Sequence, residues 1–448
     1  MNNAITTLVG EELEGDQKYI GTLAAPNGSL YGIPVQARRV SKFNPVDKSM
    51  THIGPDFGDG RKWYKGAMTD SGIIYCVPHI SGRRGILKID TNTDNVTELD
   101  RNLLPEEGNE MWDSCAVAHD GCIYFMPYGA RRIMKLDPNK NDAMTSVGDD
   151  LGDGYNKYSG TVVGIDGCVY GMPYHSYKIV KYDPINDTSS FFGEEPGINI
   201  FKCSGNGVLA RDGCIYALAF NSRVLKIDTA NNNNSHCYVG NIIQSYHVGI
   251  WGWGDAILGI DGCIYWPPKK AKRTVALKHD PHSNQTSLVG DDIVESAIFL
   301  TWYTGGALAT DGVIYCIPLS ANQVLAIDPL GEFSLEMKAN MEEHPEELGF
   351  LFRINDANAN NTDTDTDTDA LSNQTNFDCA VTKFGMQKVL EIVQEHVPPA
   401  NEVCGLYPFM LAASYKESPL CAVYVLLRQV PFLINSNSDS RNNVHCVL

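Results

Sequence analysis

The chain has 448 residues, of which 43% are hydrophobic, a proportion typical of a globular protein with a sizeable core. Its 35 Lys and Arg residues against 54 Asp and Glu residues give a net charge of −19, and because like charges repel, nucleic acids and anionic membrane surfaces are not expected partners. Residues 1–15 carry neither the basic start nor the apolar run of a signal peptide, and no stretch reaches the roughly 20 apolar residues of a membrane helix, so we expect a cytoplasmic or nuclear protein.

The first predicted element is a single strand at residues 5–12. It resembles the last strand of the repeats that follow, although no earlier strands of such a repeat precede it. We expect it to complete the last repeat as its outer strand. Residues 333–337 are the competing candidate for that place.

A short phrase then returns seven times along the chain. Each copy has a turn dipeptide that ends in glycine, then an apolar residue and a tyrosine, and most have a proline shortly after. The glycines lie 44 to 50 residues apart and are Gly28, Gly72, Gly121, Gly167, Gly213, Gly262 and Gly312. A period of this length in strand-forming residues predicts a β-propeller. Seven copies predict an all-β, seven-bladed propeller over residues 1–353.

One repeat, residues 159–195, shows the expected blade. Strand-like runs at 160–165, 168–172, 178–182 and 188–192 predict four antiparallel strands, named A to D from the axis outwards. The Asp-Gly pair between strands A and B predicts a two-residue hairpin in which both turn residues have positive φ.

Tyrosine and cysteine also recur at fixed positions of the repeat. We expect the tyrosine to pack between blades, with its hydroxyl on a backbone group. A cysteine follows the glycine in four copies, as Cys122, Cys168, Cys214 and Cys263. Equivalent positions on neighbouring blades are too far apart for a disulfide, so the sequence predicts small, buried, reduced thiols.

Three segments follow the predicted propeller. Residues 354–377 are rich in Asn, Thr and Asp and have almost no apolar content, which predicts a disordered acidic linker. Residues 378–436 change to a helical period and resemble one degenerate ankyrin unit, with Tyr407 and Met410 where the ankyrin pattern has Thr and His. Residues 437–448 are expected to form a disordered tail.

The repeats resemble the seven-bladed propellers built from kelch, NHL and YVTN-type units. The phrase Asp-Gly-Cys-Ile-Tyr-x-x-Pro, together with the later Gly-Leu-Tyr-Pro-Phe-Met-Leu-Ala-Ala segment, also resembles a set of repeat proteins of unicellular eukaryotes that have no established activity. The resemblance therefore implies the fold and assigns no catalytic residue.

In such blades the B–C and D–A loops share one face, which we call the loop face, and the A–B and C–D turns share the other, the turn face. The loop-face segments carry many cations and aromatic residues. The candidate binding residues are Arg39, Arg84, Arg132, Arg223, Lys270, Arg273, Trp63, Trp112, Tyr158, Trp251, Trp253 and Trp302. Forked guanidinium groups and aromatic rings suit an acidic peptide or an anionic ligand. Alternatively, the arginines pair with acids of the neighbouring D–A loops and the aromatic residues fill the channel.

These features favour a non-enzymatic scaffold that binds a protein or an acidic peptide, with the oligomeric state left open. Nucleotide-binding and nucleophile-elbow motifs are absent, so the sequence indicates no catalytic residue, cofactor or metal site. One alternative is a calcium-dependent enzyme of the lactonase or sugar-dehydrogenase propeller type, with Asp113, Asn206 and Asp255 as the acidic and amide groups near the channel mouth. The other is a structural protein that forms arrays.

Overall fold

The computed structural model describes residues 4–79, 84–104, 111–193, 203, 205–219, 223–231, 235–241, 252–269, 275–290, 302–329 and 331. The strands in this part of the chain form seven separate four-stranded antiparallel sheets, as predicted, and each sheet is one blade of a propeller. Two short 3-10 helices lie at Arg101–Leu103 and Pro138–Lys140. The segments predicted at 333–337 and 354–448 lie outside the described residues.

The strands follow the chain blade by blade. The chain begins with β1 (Ile5–Val9). Blade 1 holds β2 (Tyr19–Ala24), β3 (Leu30–Pro34), β4 (Val40–Phe43) and β5 (Met50–Ile53); blade 2 holds β6 (Trp63–Met68), β7 (Ile73–Pro78), β8 (Leu87–Asp90) and β9 (Asn95–Glu98). Blade 3 holds β10 (Trp112–Val117), β11 (Ile123–Pro127), β12 (Ile133–Asp137) and β13 (Ala143–Val147); blade 4 holds β14 (Tyr158–Val163), β15 (Val169–Pro173), β16 (Ile179–Asp183) and β17 (Thr188–Phe192).

The remaining three blades repeat the same order. Blade 5 holds β18 (Val208–Leu209), β19 (Cys214–Leu218), β20 (Val224–Asp228) and β21 (His236–Val239); blade 6 holds β22 (Ile257–Leu258), β23 (Ile264–Trp266), β24 (Ala276–Asp280) and β25 (Gln285–Val289). Blade 7 holds β26 (Ala307–Leu308), β27 (Ile314–Cys316) and β28 (Val324–Asp328). The first strands of successive blades pack on one another around the central axis.

The first strand of the chain closes blade 7. β1 pairs antiparallel with β28, from Ile5 opposite Asp328 to Val9 opposite Val324, and is the outer strand of that blade. The sequence predicts residues 5–12 for this position, the outer strand of the last blade. Backbone hydrogen bonds therefore join the two ends of the ring.

The A–B turns differ from the predicted two-residue hairpin. In blade 3 the Gly121 amide donates to the Ala118 carbonyl, and the Ala118 amide donates to the Cys122 carbonyl, both at 2.9 Å. Gly121 has a φ of +74°, whereas the φ of Asp120 is not positive. The prediction of positive φ at both turn residues is therefore wrong. The turn has the pattern of a type I turn followed by a left-handed residue, and only that residue must be glycine.

The repeated tyrosine hydroxyl binds a carboxylate, so the prediction of a backbone partner is wrong for most copies. In blade 4, Asp166 Oδ2 accepts a hydrogen bond from the Tyr170 hydroxyl and pairs with Lys181 Nζ, both at 2.8 Å. Asp166 Oδ1 accepts from the Cys168 amide at 3.1 Å. Lys181 stands directly opposite Tyr170 in the ladder, with Nζ 5.6 Å from the ring centroid. We call this arrangement the Asp–Tyr–Lys triad; it recurs as Asp120–Tyr124–Lys135, Asp212–Tyr216–Lys226 and Asp261–Tyr265–Lys278.

Blades 1 and 2 lack the aspartate of the turn phrase and take a carboxylate from the next blade. In blade 2 the equivalent residue is Ser71, and Asp142 from the C–D turn of blade 3 accepts from the Tyr75 hydroxyl at 2.5 Å and from Lys88 Nζ at 2.6 Å. In blade 1, Asp94 plays this part for Tyr31 and Lys42, at 2.9 and 2.7 Å.

Blade 7 has the aspartate of the turn phrase but lacks the lysine of the triad. Asp311 accepts from the Tyr315 hydroxyl at 2.7 Å, but Ala326 stands opposite Tyr315 where other blades have lysine. Lys48 of blade 1 supplies the cation, 3.7 Å from Asp311. The three supplying residues share one left-handed position of the C–D turn: Lys48 with φ 62°, Asp94 with φ 58° and Asp142 with φ 56°. Neighbouring blades are thus joined on the turn face as well as through their apolar faces.

The core lies between neighbouring blades. One cluster, for example, joins Tyr170 and Val162 of blade 4 to Ile215 and Leu225 of blade 5. The four repeat cysteines are buried and free, as the sequence predicts. Within the described part of the chain, no helix is long and apolar enough to cross a membrane.

Candidate functional site

The first strands of blades 1 to 4 carry β-bulges near the loop face. Their register with the second strand shifts between Ile20 and Thr22, Trp63 and Gly66, Trp112 and Ser114, and Tyr158 and Gly160. A bulge leaves the extra residue without a partner in the ladder and changes the direction in which its side chain points. The residues re-aimed in blades 2 to 4 are Tyr64, Lys65, Asp113 and Ser159. These residues line the channel near its loop-face end.

Lys65 crosses the channel and connects four blades. Its Nζ lies 3.0 Å from Asp255 Oδ1 of blade 6, 3.0 Å from the Ser159 carbonyl of blade 4 and 3.5 Å from Asn206 Oδ1, just before the first strand of blade 5. The Lys65 and Asp255 side chains are 9% and 14% exposed. All three N–H groups of the ammonium therefore have acceptors inside the channel.

Asp113 is a second buried charge of the channel. It is 6% exposed, and no described residue donates a hydrogen bond to its carboxylate. Burial raises the pKa of Asp113 to about 6, Lys65 and Lys269 act to lower it, and Asp255 acts to raise it. Lys269 and Asp255 belong to blade 6, which does not neighbour blade 3. Asp113 therefore faces across the channel.

Replacing Asp113 with asparagine is expected to stabilise the fold at neutral pH. The folded pKa of about 6 exceeds the unfolded value of about 3.9, so folding takes up a proton between these pH values. The favourable contribution of Asp113 is present below pH 4 and is lost as the pH rises through 6. We expect Asp113→Asn to gain about 1–2 kcal/mol at pH 8 and nothing near pH 4, as measured by urea unfolding. A variant less stable than the native protein at pH 8 would show that the attraction of Asp113 to Lys65 and Lys269 outweighs the cost of burying its charge.

The oxygen-bearing side chains of the channel do not form the calcium site that a calcium-dependent enzyme would need. Two of its three candidate groups, Asp255 and Asn206, already surround the Lys65 ammonium. Calcium takes roughly six to eight oxygen ligands. Across the described ranges, no three His, Cys, Asp or Glu side chains are placed to hold a metal ion.

Two arginines of the loop face make equivalent contacts in blades 1 and 3. Arg38 pairs with Asp56 at 2.9 Å and with Asp59 at 2.7 Å. Arg131 pairs with Asp150 at 2.5 Å and with Asp153. Both guanidinium groups are about half exposed, at 54% and 49%. The acids belong to the adjacent D–A loops, which is the pairing that the alternative interpretation of the sequence predicts.

The candidates Arg39 and Arg132 follow these two arginines and point to the outer strand. Arg39 donates to the Gly54 carbonyl at 2.6 Å, and Arg132 donates to the Gly148 carbonyl. Each contact ties a B–C loop to the end of strand D in its own blade. Both side chains therefore have an internal partner at the loop face.

The candidates Arg84 and Arg223 pack on aromatic rings. Arg84 pairs with Glu98 at 2.8 Å and lies 5.4 Å from the Trp63 ring centroid. Arg223 lies 4.9 Å from the Tyr238 ring centroid. These distances are those of cation–π contacts, which favour arginine.

Four of the aromatic candidates lie in the core between blades. They are Trp63, Trp112, Tyr158 and Trp253, and none is more than 3% exposed. Trp302 is partly buried at the loop face. The candidates Lys270, Arg273 and Trp251 lie outside the described residues.

Three lysines that precede first strands act as internal clamps, a role that the sequence reasoning missed. Lys62 Nζ donates to the Gln36, Gly58 and Gly60 carbonyls at 3.1, 2.9 and 2.7 Å. Lys18 and Lys157 donate to carbonyls of their own D–A loops in the same way. Burial lowers the pKa of Lys62 and of Lys18. The signal in the sequence is a lysine directly before the aromatic residue that begins strand A.

Comparisons with known proteins support the fold alone. No protein-family model matches the chain, and no curated protein matches it either. A catalytically inactive virginiamycin B lyase from Staphylococcus aureus, solved with quinupristin, superposes with a TM-score of 0.57 at 12% identity, over 72% of this chain and 99% of that one. Kuenenia stuttgartiensis hydrazine synthase gives 0.52 at 13% identity, over 70% and 96% of the two chains. The WD40 propeller domain of Doa1 gives 0.51 at 11% identity, over 72% and 97%. These similarities support the fold of this chain and assign it none of these activities.

Proposed function

We propose that this propeller is a non-enzymatic interaction scaffold that binds carboxylate groups of an acidic peptide or protein on its loop face. The observation that carries the proposal is the matched pair Arg38 and Arg131. Each guanidinium group holds two carboxylates in a fork, the geometry that arginine offers to acidic partners. The likeness to WD40 propellers supports an interaction surface, because such folds present their loops at a rigid rim.

A carboxylate of the partner can bind Arg38 or Arg131 by replacing one of the internal aspartates. Asp59 and Asp153 are 89% and 90% exposed, and their pairs with Arg38 and Arg131 lie at the protein surface. Exposed ion pairs contribute little stability, so an incoming carboxylate can replace the internal one at small cost. The internal aspartates then act as competitors that hold the guanidinium groups in place before the partner arrives.

The test is binding of a fluorescein-labelled oligoglutamate peptide, followed by fluorescence anisotropy at low salt. We expect Arg131→Glu to weaken binding about fivefold and Asp153→Asn to strengthen it, because the first removes the fork and the second removes the competitor. Lys140→Glu is the matched control: Lys140 is 78% exposed on the turn face, and its reversal changes the net charge by the same amount.

The control separates a local effect from the general repulsion of an acidic protein. Equal losses in Arg131→Glu and Lys140→Glu would show that only net charge matters and would remove the loop face as the docking site. No binding by the native protein would refute the acidic-peptide assignment itself.

A further inference from the structure

The loop between β1 and β2, residues 10–18, is the D–A loop that leads from blade 7 to blade 1. Its backbone contacts repeat those of the D–A loop that follows blade 1. The Leu13 amide donates to the Asn322 carbonyl at 2.6 Å. In blade 1 the Phe57 amide donates in the same way to the Arg38 carbonyl at 2.8 Å. Asn322 therefore has in blade 7 the position that Arg38 has in blade 1.

The next residue of each B–C loop gives the same alignment. Gln323 Nε2 donates to the carbonyl of Gly10, the glycine that follows strand D of blade 7, at 2.9 Å. Arg39 and Arg132 donate to the carbonyls of the equivalent glycines in blades 1 and 3. The position before this residue is thus Asn322 in blade 7 and an arginine in blades 1 and 3.

The acids of the β1–β2 loop lack the arginine that pairs with their counterparts. In blades 1 and 3 this arginine pairs with the acid two positions after the glycine, which is Asp56 or Asp150. In the β1–β2 loop that position is Glu12. Among the described residues no cation forms an ion pair with Glu12 or with the other exposed acids of the loop, Glu11, Glu14 and Asp16.

Lys18 does not replace the missing arginine. It is 6% exposed, and its Nζ donates to the Gly15 and Ala321 carbonyls at 2.6 and 2.9 Å. Of the four acids, only Asp16 acts electrostatically on Lys18. The three glutamates of the loop therefore have no counter-ion in the part of the chain that the structure describes.

All four acids line one cavity of about 510 Å³, which we call the β1–β2 cavity. Its other walls are the B–C loop of blade 1, at Gln36 and Ala37, and the outer strand of that blade, at Met50 and His52. Tyr19 also lines the cavity, and its hydroxyl is 2.9 Å from His52 Nε2. The volume lies within the roughly 300–1,000 Å³ of small-ligand sites. The cavity thus combines unpaired carboxylates with an apolar wall.

The equivalent loops indicate the chemistry of the ligand. Arg38 and Arg131 show that acids of the D–A loops in this propeller bind guanidinium groups. An arginine side chain joins a forked, charged head to an apolar stem, which suits carboxylates beside Tyr19 and Met50. A metal ion fits less well, because no three acidic, His or Cys side chains of the described ranges are placed to hold one.

We propose that the β1–β2 cavity binds an arginine side chain of a basic protein or peptide, with the guanidinium group on Glu12 and Glu14. The partner supplies the arginine that blade 7 lacks at Asn322. The net charge of −19 attracts such a partner. The ligand has the opposite charge to the acidic peptide proposed for Arg38 and Arg131, so the two proposals stand independently.

The experiment is a titration of 3-fluorotyrosine-labelled protein with acetyl-Gly-Arg-Gly-amide, followed by fluorine NMR, with the Tyr19 signal assigned from Tyr19→Phe. We expect a saturable shift of the Tyr19 signal. The same peptide with citrulline in place of arginine has a similar shape and no charge, and it is expected to give no shift. The lysine peptide should bind about threefold more weakly, because an ammonium group lacks the fork.

An arginine placed in blade 7 tests the comparison between blades. Asn322→Arg should weaken binding of the peptide about tenfold, because the new guanidinium group competes for Glu12. Asn95→Arg is the matched control: it adds the same charge at an exposed position of β9 and should leave the affinity unchanged. Glu12→Gln should weaken binding about fivefold, whereas Asp70→Asn, in the exposed A–B turn of blade 2, should not. All these side chains are exposed, so the variants are expected to fold.

Three outcomes would overturn the proposal: no saturable shift of the Tyr19 signal, an equal shift with the citrulline peptide, or equal losses of affinity in Asn322→Arg and Asn95→Arg. The last would show that the peptide responds only to net charge. None of these outcomes bears on the binding of oligoglutamate at Arg131, so a failure here is distinguishable from a failure of the proposed function.

Discussion

Deletion of residues 1–10 is expected to open the ring and destabilise the propeller by about 5 kcal/mol or more, as measured by urea unfolding and by the thermal midpoint in circular dichroism. The deletion removes β1, which pairs with β28 at five successive positions from Ile5 to Val9. Each lost backbone hydrogen bond costs about 1 kcal/mol, and the apolar cover of β28 is lost in addition. The unpaired edge of β28 should also promote aggregation.

β1 stabilises more than its own blade. A side chain at Gly290, at the end of blade 6, would collide with Thr6, and a side chain at Gly10 would approach the Lys48 carbonyl of blade 1 within 2.8 Å. The strand is therefore packed between the blades on either side of blade 7. Its removal loosens both contacts at once, which is why we expect a larger effect than for any single side chain.

A peptide of residues 1–12 supplied in trans provides the control for the deletion. It should restore much of the thermal midpoint, whereas a peptide of the same composition in scrambled order should not, because register in a strand depends on the order of its side chains. An unchanged midpoint in the deleted protein would show that another segment closes blade 7 in solution.

The sequence predicts the blades well because each repeat carries its own local signals. The four runs expected within residues 159–195 correspond to β14 to β17, with differences of one or two residues at their ends. Turn geometry was less predictable. Asp-Gly suits both a two-residue hairpin and the observed longer turn. The same longer turn forms in blades 1 and 2, where Asn27 and Ser71 replace the aspartate, so the dipeptide before the tyrosine does not by itself decide the turn type.

The channel was harder to predict than the blades. A bulge depends on the register between two strands, and no residue type marks it in the sequence. Asp113 and Asp255 are 142 positions apart, and their closeness follows only from closure of a ring with seven blades. Lys65 is the exception: a lysine within a first strand whose neighbours are mostly small and apolar is a detectable signal of a partner across the channel.

Asp142→Gly is expected to destabilise the propeller by about 3 kcal/mol in urea unfolding. Asp142 is 13% exposed in its side chain and is the shared partner of Tyr75 and Lys88, so its removal leaves a buried hydroxyl and a cation without an acceptor. Glycine is chosen because the φ of Asp142 is 56°, in the left-handed region where alanine would add strain of its own.

Ser71→Asp is expected to restore most of that loss, because it places a carboxylate where blades 3 to 6 carry the aspartate of their triads. In those blades this carboxylate lies 2.7 to 2.8 Å from the tyrosine hydroxyl of its own blade. In the native background the same substitution should destabilise slightly, since it would bring a second negative charge close to Asp142. Ser71→Asp should therefore stabilise the Asp142→Gly variant and destabilise the native protein. An equal change in the stability of both proteins would show that a carboxylate at position 71 cannot replace the carboxylate of Asp142. The contacts of Asp142 with Tyr75 and Lys88 would then not be what joins blades 2 and 3.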